Sequence, residues 1–592
     1  MPFRKSPSMD RTGVEQMAQG WGKIVARRIH EDVGADLDLD ADDIEQMAAT
    51  AARAVARGAI EELLERKASL LGAEQPCPTC RRSCVVRRQP RAIDFWGGEV
   101  TYAEPQCHCP ACRRDFFPQR PGLRLTAHDF SPSVLGKIVR SAAREPSFRE
   151  GAEAMADLAE VTLSDRQLGR IAQEVGEQLQ ATRDQHVSQL RAGTLEPRVA
   201  TRPALALVEV DGGRLRIRGE GEGPGAHDAS WREDKIAVLA TMTHVVSTSD
   251  PEPELPACFR DRGFVAEVIG AIGGDGSLGP PAAPSAGPID LPLPPCPESL
   301  APRTGPELAV RTYVASTGSS DQFGPMVAAE ARRRNFTDAA ARAFLGDGSA
   351  WIWGLQASLF PSFVPIVDFL HALGHVSAAA QAAAPDGEGH WELFQNWAEA
   401  CWKGRVDQVL EELRTLRDVQ AGLSGGDIEH LADDDPRVIL ARELGYLEHN
   451  RERMDYPRYR REGLPWTTSH VESTVKIVNR RVKGTEKSWG EAGAEAILQL
   501  RAAFLSEDGR LERHLKERPG SPFRNYKSRK PSSTAQGTCS FPARVTWVGW
   551  ADLGTGWMRL LAGMEAVHDP ERPAARLAPL RGIRGAIHPA AG

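Results

Sequence analysis

No stretch of the chain reaches the roughly 18 consecutive apolar residues needed to cross a bilayer, so no membrane-spanning helix is expected. The opening Met1-Pro-Phe-Arg-Lys-Ser6 leads into polar sequence instead of a signal-peptide core, which makes a cytoplasmic location the expectation. Charge of one sign is also missing. Against 73 Lys and Arg stand 80 Asp and Glu, a net of −7 that argues against a wholesale basic coat. Cysteine is scarce, ten in 592 residues, and six of the ten lie between Cys77 and Cys112. In a cytosolic chain such crowding favours a metal over disulfides. What is present is ordinary globular composition, 41% apolar and 26% charged, in a chain too long for a single core. The even charge balance breaks between Lys476 and Lys530, where 14 basic residues face 7 acidic ones. Any nucleic-acid contact is expected there first.

The pattern along the chain predicts an α/β multidomain protein. Residues 1–74 read as helical, with Asp42-Asp43 placed to cap a segment from Ile44 through Leu63-Leu64. Residues 75–119 hold Cys77-Pro-Thr-Cys80 and Cys109-Pro-Ala-Cys112, separated by 28 residues with a β-like Ile93–Tyr102. Two such knuckles joined by a hairpin place four thiolates tetrahedrally around Zn²⁺, leaving no open position, so the zinc is expected to be structural. Cys84, Cys107 and His108 are left over and keep a swapped fourth ligand open.

Residues 120–200 read as helical again. Ser147–Ala159, the turn Val161–Ser164 and Asp165–Gly176 form a candidate helix-turn-helix, presenting Ser164, Arg166, Gln167 and Arg170 to a DNA groove. Simple helix packing explains the same pattern. A mixed α/β region covers 201–370, with strands expected at Leu205–Val210, Arg214–Arg218, Ile236–Val245, Arg342–Leu345 and Phe363–Val367, and a helix at Pro325–Arg333. A Pro/Gly-rich insert, 250–305, reads as a flexible surface excursion. Residues 371–455 read as a helical insertion containing Trp391, Trp397 and Trp402. Residues 456–518 return to the core, and 519–592 form a basic Pro/Gly-rich tail.

Two apolar runs stop at Asp-Gly pairs, Leu205–Val210 before Asp211-Gly212 and Ala343–Leu345 before Gly346-Asp347-Gly348. Each pair taken alone usually marks a turn. Far downstream Glu472 opens Val471–Gly484, where Glu472, Lys476, Asn479, Arg480 and Lys483 share one helical stripe and Val475 and Val478 face inward. A solvated charged face is the plain reading of that stripe. Two strand-end carboxylates and a helix-borne one also suit a pair of Mg²⁺ or Mn²⁺ ions for phosphodiester chemistry. His371, in Asp368-Phe-Leu-His371, is a candidate to contact the scissile phosphate or position water, or else a buried hydrogen-bonded histidine. Trp231, Trp351 and Trp353 are expected to pack in the core.

The blocks Asp211-Gly-Gly213, Trp231-Arg-Glu-Asp-Lys235, Gly346–Trp353, Ile366–His371, Arg453–Pro457 and Gly463–Trp489 occur in an order that resembles bacterial insertion-sequence transposases of the ISKra family, related to Mutator-like enzymes. With the cysteine ribbon, the resemblance covers roughly residues 75 to 505. The chain differs from the pattern at Thr467-Thr-Ser-His470 and in its Pro-rich insert. The resemblance implies a ribonuclease-H-like mixed sheet core with a helical insertion, preceded by a zinc ribbon and helical segments. It also implies a catalytic triad of Asp211, Asp347 and Glu472, with Asp368 and His371 as a D-x-x-H element.

The expected function is that of a DNA transposase, cutting and joining element ends with two metal ions on the triad. Lys476, Asn479, Arg480, Arg481, Lys483 and Lys487 are expected along the double-stranded DNA, with Arg166 and Arg170 on the candidate recognition helix. A homo-oligomer is expected on DNA, because two ends must be brought together, and nucleoid association follows. The rival is a catalytically inactive, transposase-derived DNA-binding protein, which would show tight zinc but no triad-dependent Mg²⁺ binding. A nuclease of the same fold acting on RNA or branched DNA shares all three carboxylates.

Overall fold

The computed structural model describes residues 11–33, 40–218, 230–272, 305–384, 387–424, 431–467, 478, 481–483 and 487–523. Glu472, Lys476, Asn479, Arg480, residues 273–304 of the insert and the tail beyond 523 lie outside the described residues. The chain divides into two compact units, residues 1–60 with 525–592 and residues 61–524.

The first unit holds α1 (Arg11–Val33) and the start of α2 (Ala41–Ser69). Asp40 caps α2, its Oδ1 accepting from the Asp43 N–H at 2.9 Å. Asp42 and Asp43, expected as the cap, sit in the first turn, where their charge favours the helix N-terminus.

The second unit begins with an antiparallel sheet of β1 (Glu74–Pro76), β2 (Ser83–Phe95), β3 (Gly98–Cys109) and β4 (Arg114–Phe116), in that order. β2 and β3 pair from Val86↔Cys107 to Phe95↔Gly98, a tight hairpin. After the short α3 (Arg120–Leu123) come α4 (Pro132–Arg144), α5 (Phe148–Ala159) and α6 (Asp165–Arg191). Each of the last three starts at a serine cap, Ser131, Ser147 and Ser164, and Ser147 with Glu150 completes a capping box.

The larger sheet contains β5 (Leu205–Ile217), β6 (Ser230–Met242), β7 (Leu308–Ser316), β8 (Ala341–Gly346) and β9 (Val364–Val367), ordered β7-β6-β5-β8-β9. β6 is antiparallel to both of its neighbours, β5 and β7, while β8 and β9 run parallel to β5. Strand alternation sends Val208, Val210, Ala237 and Leu239 to one face and Leu215, Ile217, Ile236 and Val238 to the other. The first set meets α8 (Ser320–Arg333), α9 (Ala350–Leu359) and the four helices α10 (Phe369–Ala383), α11 (Gly387–Trp402), α12 (Val406–Ser424) and α13 (Pro436–Asn450). The second set meets α4, α6, the helix Glu491–Leu505, and Val478 and Val482. Burial of Val478 agrees with its expected inward face, whereas Val475 lies outside the described residues. Gly176 lets α6 approach the Ala496 backbone so closely that a β-carbon would collide with it.

Several sequence expectations change. β5 does not stop at Asp211-Gly212 but continues to Ile217, paired with β6 as far as Ser230. Cross-strand pairing to β6 overrides the local turn signal of the Asp-Gly-Gly. β7 went unread because Arg311 and Thr312 interrupt its apolar run. Arg311 is held by Glu507 beside it, and the Arg334 guanidinium donates to Thr312 Oγ1 at 3.2 Å. The insert is folded at its start: the short α7 (Arg262–Ile272) and the turn before it bury Leu255, Cys258, Phe259, Val265 and Val268 in the main core. Trp231, expected inside, is 49% exposed, while Trp353, Trp397 and Trp402 are buried.

Candidate functional site

The ribbon cysteines converge. The sulfurs of Cys77, Cys80, Cys109 and Cys112 all lie within 4.8 Å of one another. Cys77 to Cys112 is 3.9 Å and Cys80 to Cys109 is 3.5 Å, close to the edges of a tetrahedron with Zn–S bonds of about 2.3 Å. Each knuckle closes through a left-handed residue directly after its second cysteine, Arg81 at φ 63° and Arg113 at φ 51°. The leftover candidates are otherwise engaged: His108 Nδ1 lies 2.7 Å from Asp115, and Cys84 and Cys107 are buried in the small ribbon core. The four thiols therefore could hold a metal such as zinc. Residues just after the helix Arg510–Glu517 return to this ribbon, where Phe523 stacks under Arg114 at 3.7 Å and Pro522 O accepts from Phe117 N–H at 2.7 Å.

The carboxylates are assembled by strand register. The parallel pairs end at Val210↔Gly346 between β5 and β8, and at Gly346↔Val367 between β8 and β9. The next residue on each strand is an aspartate, so Asp211, Asp347 and Asp368 form one row across three neighbouring strand ends. In parallel sheets this edge is where ligands bind. Asp368 is fully buried and caps α10, accepting from Leu370 N–H at 2.7 Å and His371 N–H at 3.0 Å. His371, one turn along, places Nδ1 3.5 Å from Asp368 Oδ1, an ion-pair contact rather than a hydrogen bond.

Charge in this row is strongly perturbed. Burial, reinforced by the charges of Asp347 and Asp368, raises Asp211 to about 6, against the pull of His371 and the Gly212 N–H. For His371, burial works against the imidazolium, but Asp368, Asp211 and Asp347 outweigh it and hold the ring up at about 10. The histidine is thus the cation among three acids, and a surplus of negative charge remains for a further cation.

The Asp347 loop is braced by α13. Asp347 Oδ1 accepts from Ser349 N–H at 2.8 Å and Oδ2 from Ser349 Oγ at 2.9 Å, while Tyr446 Oη donates to Asp347 O at 2.8 Å. Gly348 adopts φ 102° directly beneath the Tyr446 ring, a place with no room for a β-carbon. Asn450 accepts from Trp353 Nε1 at 2.8 Å, tying α13 to α9. Tyr446 stacks on His375, which pairs with Glu443. Sequence reading missed this brace, since residues 99 positions apart along the chain carry no shared local signal.

Among the described residues, no three oxygen or imidazole ligands come within the 4.8 Å that the cysteines achieve. Glu472 lies outside the described residues, so two of the three expected triad members, Asp211 and Asp347, are brought together here with Asp368 and His371. Their oxygen donors suit a hard cation, Mg²⁺ or Mn²⁺, better than a soft one.

The basic residues divide. Arg481 is 2% exposed; it donates to Ala142 O at 2.9 Å and Pro146 O at 3.0 Å and lies over Phe148 at 4.4 Å. From this buried position it satisfies carbonyls at the α4–α5 junction, where the sequence had it facing solvent. Lys483 and Lys487 are half-buried, and Arg166 and Arg170 are exposed on the first turns of α6. Leu168, Ile171, Ala172 and Val175 bury the opposite side of that helix.

Another acid, Asp234 on β6, was not singled out from the sequence. Its signal was legible: it continues the inward period of Ile236 and Val238, a carboxylate in an apolar series. No described helix is long and apolar enough to cross a membrane. Compared with protein-family models and with curated proteins, the chain matches none.

Proposed function

We propose that the chain is a DNA transposase of the insertion-sequence type that it resembles, with a ribonuclease-H-like core. Its substrate is double-stranded DNA, element ends and target, and it works as an oligomer on the nucleoid. The observation that carries this reading is the register that puts Asp211 and Asp347 side by side directly after the last parallel pair of β5 and β8. A mixed sheet with four helices inserted before the Glu472 segment is the architecture that the resemblance implies.

In this reading Asp211, Asp347 and Glu472 hold two Mg²⁺ or Mn²⁺ ions, which when bound activate the attacking hydroxyl and stabilise the leaving 3′-oxygen. The chain's own residues do the rest. Ser349 and Tyr446 fix the Asp347 loop, so its carboxylate stays aimed at the strand edge. Asp368 orients His371, whose imidazolium is positioned to bind a phosphate oxygen at the rim. Lys476, Arg480, Lys483 and Lys487 track the backbone, and the ribbon with Arg166 and Arg170 supplies sequence choice.

Mg²⁺-dependent nicking of the element's own end DNA tests the proposal. Asp347→Asn and Glu472→Gln are each expected to cut on the order of 100-fold more slowly or worse. Cutting at the parental rate by both variants would remove the enzyme and leave a zinc-dependent DNA-binding protein.

A further inference from the structure

Asp234 is fully buried, and among the described residues no partner outside its own backbone hydrogen-bonds to either carboxylate oxygen. A buried, unpaired carboxylate costs several kcal/mol, roughly, unless something compensates it. Its position suggests what does. Asp234 pairs with Gly213, and Asp211 pairs with Ile236, so the two acids lie on one face of the sheet, diagonal across β5 and β6. Burial pushes Asp234 up to about 7, its own backbone N–H and the Lys483 charge oppose that, and among the described residues Asp211 and Glu233 add to it.

We propose that Asp234 is a fourth carboxylate of the cation site, binding the same divalent ion as Asp211. The inference rests on the reading of Asp211 as a cation ligand and assigns a residue to that site which the three-acid pattern does not contain.

The test uses Mn²⁺ alone, titrated calorimetrically into the zinc-loaded full chain. Asp211→Asn is expected to abolish binding and Asp234→Asn to weaken it about tenfold or more, the range for losing a carboxylate of a metal's shell. Tb³⁺ luminescence lifetimes in H₂O and D₂O should count about one more water on the ion in Asp234→Asn, since water refills a vacated oxygen position. In chelator-free buffer without added divalent ions at pH 8, which leaves the ribbon's zinc in place, that variant should melt no lower than the parent, because it removes a buried charge. Parental Mn²⁺ affinity and hydration in Asp234→Asn, with binding lost in Asp211→Asn, would overturn the inference and leave the cation site standing. A lower melting temperature in that buffer would make Asp234 a structural group and overturn it as well. Equal Mn²⁺ binding by the parent and Asp211→Asn would instead remove the cation site itself.

Discussion

The ribbon and the carboxylate row are both clusters of metal-ligand side chains, but they are built in opposite ways. Four thiols from two tight turns of one small sheet already sit within 4.8 Å of one another. The acids, Asp211 and Asp347, come from neighbouring strands 136 positions apart in sequence, and share their row with Asp368 and the cationic His371. In the ribbon the Cys112 N–H helps to draw Cys109 down to about 6 while Cys112 is pushed up to about 12, so charge is shared unevenly among close thiols. In the row burial instead raises Asp211 to about 6, reinforced by its acidic neighbours.

Removing zinc should produce the largest effect. Structural zinc contributes on the order of 10 kcal/mol to small ribbons, so a chelator or Cys109→Ser should unfold residues 74–117. Hydrogen exchange would show that loss confined to the ribbon and the 519–523 segment that docks on it, with β5, β8 and β9 still protected. Loss of protection across both sheets would show that the two clusters are not independent.

Gly348→Ala should come next. A β-carbon there meets both a left-handed backbone and the Tyr446 ring, a penalty of about 1–3 kcal/mol for the backbone alone. Thermal melting should fall by several degrees, and nicking should fall with it because the Asp347 loop moves. An unchanged rate would mean that the α13 brace does not position Asp347.

Smaller is the pH effect. Asp211 is raised to about 6 and Asp234 to about 7, so the stability they contribute is complete below the ordinary carboxylate value near 4 and is lost as pH climbs through 6 to 7. His371, raised to about 10, contributes in full below about 6.5, and that contribution falls from there until it is gone near pH 10. Melting curves in chelator-free buffer without added divalent ions should therefore decline between pH 5 and 8, and Mn²⁺ should restore the loss at the alkaline end. A flat profile there would mean that these acids are solvated.

The smallest contrast separates two arginines. Arg481→Ala should lower stability by about 2–4 kcal/mol, as it strands buried carbonyls, and leave the salt dependence of DNA binding unchanged. Arg166→Ala should do the reverse, with melting unchanged and the salt slope of DNA binding shallower by about one unit. Sequence reading placed both among DNA contacts, Arg481 in the basic run after Glu472 and Arg166 on the candidate recognition helix, since residue type does not show whether a guanidinium points to solvent or to a carbonyl.

The legible parts are those whose signal is local. Cys77-x-x-Cys80 and Cys109-x-x-Cys112 announce their geometry because two residues between thiols fit one knuckle. Serine caps at 147 and 164 likewise mark helix starts by contacts within four residues. Asp211 and Asp347 could be singled out as ends of apolar runs, yet the reason given for Asp211 was incomplete. β5 does not end there; only its parallel partner does.

By itself the sequence determined the thiol cluster, most of the long helices and of the larger sheet's strands, and Asp211, Asp347 and Asp368 as acids worth watching. Tertiary structure alone decided that Asp368 joins Asp211 and Asp347 in a row, that Asp234 lies on the Asp211 face, that Tyr446 braces Gly348, and that Arg481 is buried. The physical reason is that hydrogen-bond register between distant strands, and the burial that follows from it, are properties of pairs of segments. A single segment encodes its own periodicity and caps, but its partner and the solvent it loses are set only when the chain closes on itself.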